Sequence, residues 1–177
     1  MEVILTHQAF RNCIETLAQE ILGRRPDMSN TAIVGIQQGG VVVAEALYEA
    51  ICRSVKGAQP DYGQIDITFY RDDLHKQILQ PDKMNLPFSV DDKHILLVDD
   101  VLFTGRTIKA ALDVLLDYGR PGKVELCVLV DRAEHRQFPI QADYRGITPS
   151  TTSREKIKLL KEGNTGIQVV RFDDKMQ

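Results

Sequence analysis

The chain has 177 residues, 43% of them apolar and 27% charged, with a formal net charge of −3. That is enough chain to bury a core and hold a cleft without disulfides or structural metals, and the acidic balance excludes coating nucleic acid by bulk electrostatics. No apolar run approaches the ~20 residues of a membrane-spanning helix, the start carries no secretory pattern, and Cys13, Cys52 and Cys127 fit neither a disulfide framework nor paired metal ligands. The expectation is one soluble domain over residues 1–177 in the cytoplasm, with no membrane partner.

Phe10, Ile14, Leu17, Ala18, Ile21 and Leu22 recur at helical spacing until Arg25-Pro26-Asp27 ends the element. Residues 32–36 form a short apolar run of strand length, Gln37-Gln38-Gly39-Gly40 reads as a turn, and residues 41–55 read as a second helix. Ile65, Ile67 and Phe69 alternate with polar residues, which predicts a half-buried strand. Residues 71–89 are polar and interrupted by Pro81 and Pro87, a composition that suits an active-site lid. Ile95-Leu96-Leu97-Val98 is continuously apolar, as a central parallel strand requires. Ile108, Ala111, Leu112 and Leu115 mark the next helix, which should stop at Tyr118-Gly119-Arg120-Pro121 on a left-handed glycine cap. Residues 124–130 form another buried strand, and Ile157, Leu159, Ile167 and Val169 around Glu162-Gly163-Asn164-Thr165-Gly166 suggest a terminal hairpin. Strands alternating with helices imply an α/β fold whose ligand sits beyond the carboxyl ends of the strands.

The segment Asp99, Asp100, Val101, Leu102, Phe103, Thr104, Gly105, Arg106 and Thr107 joins the most apolar strand to the best helix. Adjacent carboxylates at the end of a buried strand are costly unless a cation or hydroxyls engage them, and a ribose diol does so. A helix start with two threonines and a glycine is suited to a phosphate. An isolated Asp-Asp more often caps a helix, and Asp72-Asp73, Asp91-Asp92 and Asp173-Asp174 are read that way. Here strand, acid pair, spacer and hydroxyl-rich helix start occur in order. The pattern is neither a Walker A loop nor a dinucleotide fingerprint. It also resembles the opening strand of a response-regulator receiver, but only 77 residues follow Asp100, too few for such a domain.

The segment resembles the 5-phosphoribosyl-1-pyrophosphate (PRPP) motif of type I phosphoribosyltransferases. The resemblance to the PyrR branch, uracil phosphoribosyltransferases and pyrimidine-operon attenuators, spans nearly the whole chain. It is carried also by GQIDITFYRDDL from Gly63, by Tyr118-Gly119-Arg120-Pro121, by VLVDR ending at Arg132, and by PIQADY ending at Tyr144. The resemblance implies a mostly parallel sheet flanked by helices, a small hood and a C-terminal hairpin. It implies PRPP, uracil and UMP as ligands, Mg²⁺ held mainly by PRPP, a homo-oligomer, and an mRNA leader as candidate partner. By it, Asp99 and Asp100 hold the ribose diol, and residues 103–107 wrap the 5-phosphate. Arg71 serves catalysis in the lid that begins at Tyr70, Gln38, Gly39 and Gly40 line the pyrophosphate, and Asp131 with Arg132 lie near the base. Candidate RNA contacts are Arg24, Arg25, Arg136, Arg154 and Lys156; His135 is read equally as a phosphate or RNA contact or as a solvated loop residue. This chain departs from the family's Thr-Arg-Gly at Gln38-Gly39-Gly40, and its first helix reads Arg11-Asn12-Cys13-Ile14-Glu15-Thr16 where attenuators are arginine-rich.

Overall fold

The computed structural model describes residues 1–57, 59–67, 85–163 and 166–174. In chain order the elements are β1 (Glu2–Leu5), α1 (His7–Arg24), β2 (Thr31–Ile36), α2 (Gly39–Ser54), β3 (Asp61–Ile65), β4 (His94–Leu102), α3 (Arg106–Tyr118), β5 (Lys123–Asp131), β6 (Tyr144–Ile147), β7 (Glu155–Glu162) and β8 (Gly166–Asp173). Five strands form a parallel sheet in the order β3-β2-β4-β5-β6, and β1-β8-β7 form a separate antiparallel sheet, the hood.

Successive side chains of a strand point to opposite faces, so the apolar runs of β2 and β4 supply two cores. Ile33, Leu96 and Val98 face α1 and α2, meeting Phe10, Ile14, Leu17, Val43, Leu47 and Ile51. Val34, Ile95 and Leu97 face α3, meeting Ile108, Ala111, Val114 and Leu115. The hood joins the first of these cores through Ile157 and Val169. Burying one apolar side chain of this size contributes roughly 1.5–3 kcal/mol, so both sheet faces are held by many such contributions.

Five sequence expectations need correction. The N-terminal residues, read as no element, form β1, whose partner is the far end of the chain: Val3 pairs with Val170. The strand expected across Ile65, Ile67 and Phe69 lies earlier, at Asp61–Ile65, because pairing with β2 runs from Ala32↔Asp61 to Ile36↔Ile65. Thr68 to Tyr70 lie outside the described residues. Gly39 and Gly40, expected in a turn, open α2. Gly119 ends α3 but at φ 161°, extended rather than left-handed; what it supplies is space, since a Cβ there would lie 2.6 Å from Asp91 Oδ1. Asp91 also accepts a hydrogen bond from the Arg120 amide at 2.8 Å, so this acid pair, expected to cap a helix, instead precedes β4 and ties it to the chain beyond α3.

The expected lid at 71–89 lies outside the described residues as far as 84, together with Arg71 and Asp72-Asp73. Its last part is packed: Asn85 bridges Gln64, and Leu86 and Phe88 rest on the second core.

Candidate active site

β4 runs four residues past its apolar core, so Asp99 and Asp100 belong to the strand rather than to a loop. Asp99 is buried and Asp100 half-buried. Their carboxylates turn back on the chain: Asp99 Oδ1 accepts from the Asp100 amide and Asp100 Oδ1 from the Val101 amide, both at 2.9 Å. Across from them stands the first turn of α2. A Cβ on Gly39 would lie 2.0 Å from Asp100 Oδ2, and one on Gly40 would lie 2.7 Å from the Val98 carbonyl oxygen and 3.0 Å from Asp99 Cα. No larger residue fits this approach undisturbed, so the two glycines let a helix start and an acid pair share one wall. The peptide bond between Gln37 and Gln38, just before this turn, is cis.

The loop after β4 is short, Phe103 to Gly105. Gly105 holds φ 94°, a left-handed conformation natural to glycine, and apart from Thr104 Oγ1, which accepts from the Arg106 amide at 3.3 Å, no side chain caps α3 among the described residues. The amides of its first turn and the half-buried Thr104 and Thr107 therefore surround a place for an anion. The loop is braced from outside. Thr104 O accepts from the Gln137 amide at 2.9 Å and the Phe138 amide at 3.2 Å. Arg106 reaches Gln137 at 3.1 Å. Arg136 donates to the Phe103 carbonyl at 2.6 Å while pairing with Asp131 at 2.5 Å.

The two residues expected near a base diverge. Asp131 joins Arg136, Phe138, Ile140 and Arg145 around a cavity of about 290 Å³. Arg132 turns away and is buried, its Nε donating to Thr151 Oγ1 at 3.0 Å and its other end to the Thr152 carbonyl at 2.8 Å. Its guanidinium lies 3.9 Å from the Phe103 ring centroid. Burial pulls its pKa below the usual guanidinium value, with Glu134 and Glu155 opposing. Thus Arg132 ties the loop between β4 and α3 to the approach of the hood. His135 takes part in the same packing, 2.9 Å from the Thr151 carbonyl and edge-on to Phe103, rather than standing solvated.

A second cavity, about 240 Å³, opens between Gln38, Gly39, Asp100 and the hood residues Lys158, Leu159 and Lys161. Sequence reasoning missed these lysines. For Lys161 the signal was the row Ile157, Leu159, Lys161, in which a cation continues an inward-facing apolar face; Lys158, on the alternate row, had none.

The candidate RNA contacts do not converge. Arg24 packs over Tyr144, 4.7 Å from its ring centroid, and pairs with Glu20. That is the starting end of β6, whereas Arg136 lies beyond the finishing end of β5 and is only 16% exposed. Lys156 pairs with Asp174 at 2.5 Å, and Arg154 is exposed on the turn before β7. Arg25 is half-exposed where α1 ends.

An acid pair ending a buried parallel strand, a glycine-led helix start after it and a hood above define a phosphoribosyltransferase, and the phosphoribosyl transferase domain model matches residues 1–161. A hypoxanthine phosphoribosyltransferase from Staphylococcus aureus superposes with a TM-score of 0.69 at 23% identity, over 86% of this chain and 80% of that one. A hypoxanthine-guanine phosphoribosyltransferase from Bacillus anthracis gives 0.66 at 19%, over 85% and 83%. These likenesses speak to fold alone. The chain belongs to the PyrR family: the bifunctional protein PyrR of Syntrophobacter fumaroxidans is 42% identical over 99% of this chain and 94% of its own length. That of Bacillus subtilis is 42% identical over 88% and 87%.

Proposed function

We propose that the protein transfers ribose 5-phosphate from PRPP to uracil, giving UMP and pyrophosphate. The observation that carries this reading is the shared wall of Gly39 and Asp100, which brings a helix start and a carboxylate pair together beside the braced loop opening α3. Asp99 and Asp100 accept the ribose hydroxyls, and Thr104, Thr107 and the first amides of α3 hold the 5-phosphate. Breaking the bond from C1 to pyrophosphate leaves oxocarbenium character on the ribose while the C1–N bond to uracil forms and that nitrogen's proton is lost to the departing pyrophosphate or solvent, so the protein's task is alignment and charge placement. Asp131, in its cavity beside the loop, is assigned to the base side. Arg132 serves by holding Phe103.

Among the described residues no three His, Cys, Asp or Glu side chains cluster as a cage for a metal. The Asp99-Asp100 pair does fit a hard cation that arrives chelated by the substrate. Held there with the substrate, Mg²⁺ would supply charge neutralisation for the diphosphate. Arg71, outside the described residues, keeps its proposed catalytic part as an expectation from sequence.

Incubation with PRPP, Mg²⁺ and each free base in turn, following pyrophosphate release, tests the assignment. Uracil-dependent release is expected; turnover with a purine and none with uracil overturns it.

The second reading adds regulation: an mRNA leader bound in response to uridine nucleotides. It is favoured by the relatives, which are named bifunctional. It is weakened by the scatter of Arg24, Arg136, Arg154 and Lys156 over separate parts of the surface. Self-association belongs to either reading, and sedimentation velocity measures it. Among the described residues no helix is long and apolar enough to cross a membrane.

A further inference from the structure

We propose that Lys161, on the hood strand β7, is the side chain that contacts the diphosphate of PRPP. The inference rests on the transferase reading above and deepens it. β7 pairs with β8 without a break from Glu155↔Asp173 to Glu162↔Gly166, so its side chains alternate regularly between faces. Ile157 and Leu159 pack against the first core, which places Lys161 on the same inward row, one step beyond the apolar contact. There it lines the 240 Å³ cavity with Gln38, Gly39 and Asp100, a cavity that Lys158 also borders.

The other cations of β7 are engaged. Lys156 pairs with Asp174, and the Lys158 ammonium stands 5.2 Å from the Phe172 ring centroid. Among the described residues Lys161 has no carboxylate partner. A cavity that combines the first amides of a 16-residue helix, an ammonium and one carboxylate is chemically matched to an anionic group carried on a hydroxyl-bearing sugar. Gln38 brings no charge to that wall, so the cation comes from the hood instead. The consequence is that diphosphate binding draws the hood and the sheet together, since Lys161 belongs to one and Gly39 to the other.

The test is equilibrium binding of inorganic pyrophosphate and, separately, of UMP to the full chain and to its Lys161→Gln and Lys161→Arg variants, by calorimetry. Lys161 is exposed, and thermal melts establish that each variant is folded. Lys161→Gln is expected to weaken pyrophosphate roughly tenfold, the scale of one charge-assisted contact, with UMP changed by less than about twofold and Lys161→Arg close to the parent. Unchanged pyrophosphate affinity in Lys161→Gln overturns the proposal, as does an equal loss for UMP. A parent protein that binds UMP but not pyrophosphate overturns it while sparing the nucleotide site. One that binds neither removes the transferase reading itself.

Discussion

Replacing Gly39 with alanine separates the chemistry of the acid pair from its part in the fold. The added methyl would start 2.0 Å from Asp100 Oδ2 and 2.4 Å from its Cγ. Ordinary contact begins at 3.4 Å, so the carboxylate must retreat by about 1.4 Å, the difference between 3.4 and 2.0 Å. Asp100 is half-buried and lines the 240 Å³ cavity, so the methyl meets a side chain, its Cβ included at 3.1 Å, rather than a backbone atom. Stability should therefore change by less than about 1 kcal/mol, or some 2–4 °C in Tm for a chain of this size. A displacement beyond 1 Å at a positioning group costs about 10²-fold in kcat/KM. Gly40→Ala is the control, because its methyl meets the Val98 carbonyl at 2.7 Å and the Asp99 backbone at 3.0 Å. That central strand cannot turn aside, so overpacking should cost roughly 1–3 kcal/mol in addition to activity. Thermal melts and uracil-dependent pyrophosphate release measure both. Full activity in a stably folded Gly39→Ala protein would show that Asp100 need not stand where it does, and would refute the argument from the shared wall.

Asp100→Asn should leave the melt unchanged and lower kcat/KM by about 10²-fold, the scale of one oriented electrostatic contact; undiminished turnover would reduce Asp100 to a structural turn. His94 supplies a pH dependence of stability. Burial is the first cause that lowers its pKa, helped by Arg25 and opposed by Glu125, which its Nε2 meets at 2.8 Å. Its Nδ1 is buried without a partner among the described residues, which suits a neutral ring donating from Nε2 to Glu125. A depressed folded pKa contributes stability that is complete above the unfolded value of about 6.5 and is lost as pH falls through the folded one. Denaturant midpoints should therefore drop between pH 7 and 5, and His94→Gln should flatten that slope; an equally steep variant would point to another group. Attenuator-type RNA binding is expected to be weak at physiological salt, with a shallow salt dependence, because few phosphates are neutralised. On α1, Asn12 bonds Gln8 and Glu15 pairs with Arg53 of α2, leaving no row of cations. Filter binding to a structured pyrimidine-operon leader tests this, and nanomolar affinity strengthened by UMP would restore the regulatory reading.

The sequence by itself determined the alternation of strands and helices, the central place of β4, and the acid pair followed by a threonine-rich helix start. These are local or periodic features: four apolar residues in succession, a 3.6-residue period and a glycine before a helix each act within a few positions of the chain. Family membership was legible for the same reason, through short stretches spread along the chain. Tertiary structure alone decided what depends on residues far apart in sequence. Gly39 and Asp100 touch only because β2 and β4 are parallel neighbours, and β1 exists because its partner is β8. Arg132 and Arg136 look equivalent in sequence, yet one is drawn under Phe103 to the hood approach and the other grips Asp131 and the Phe103 carbonyl. Lys161 reads as one more charge near a turn until the register of β7 sets it beside Ile157 and Leu159 at the edge of the cleft. Local propensity selects the elements, but packing and strand register bring distant side chains within reach, and the site is made of those distant pairs.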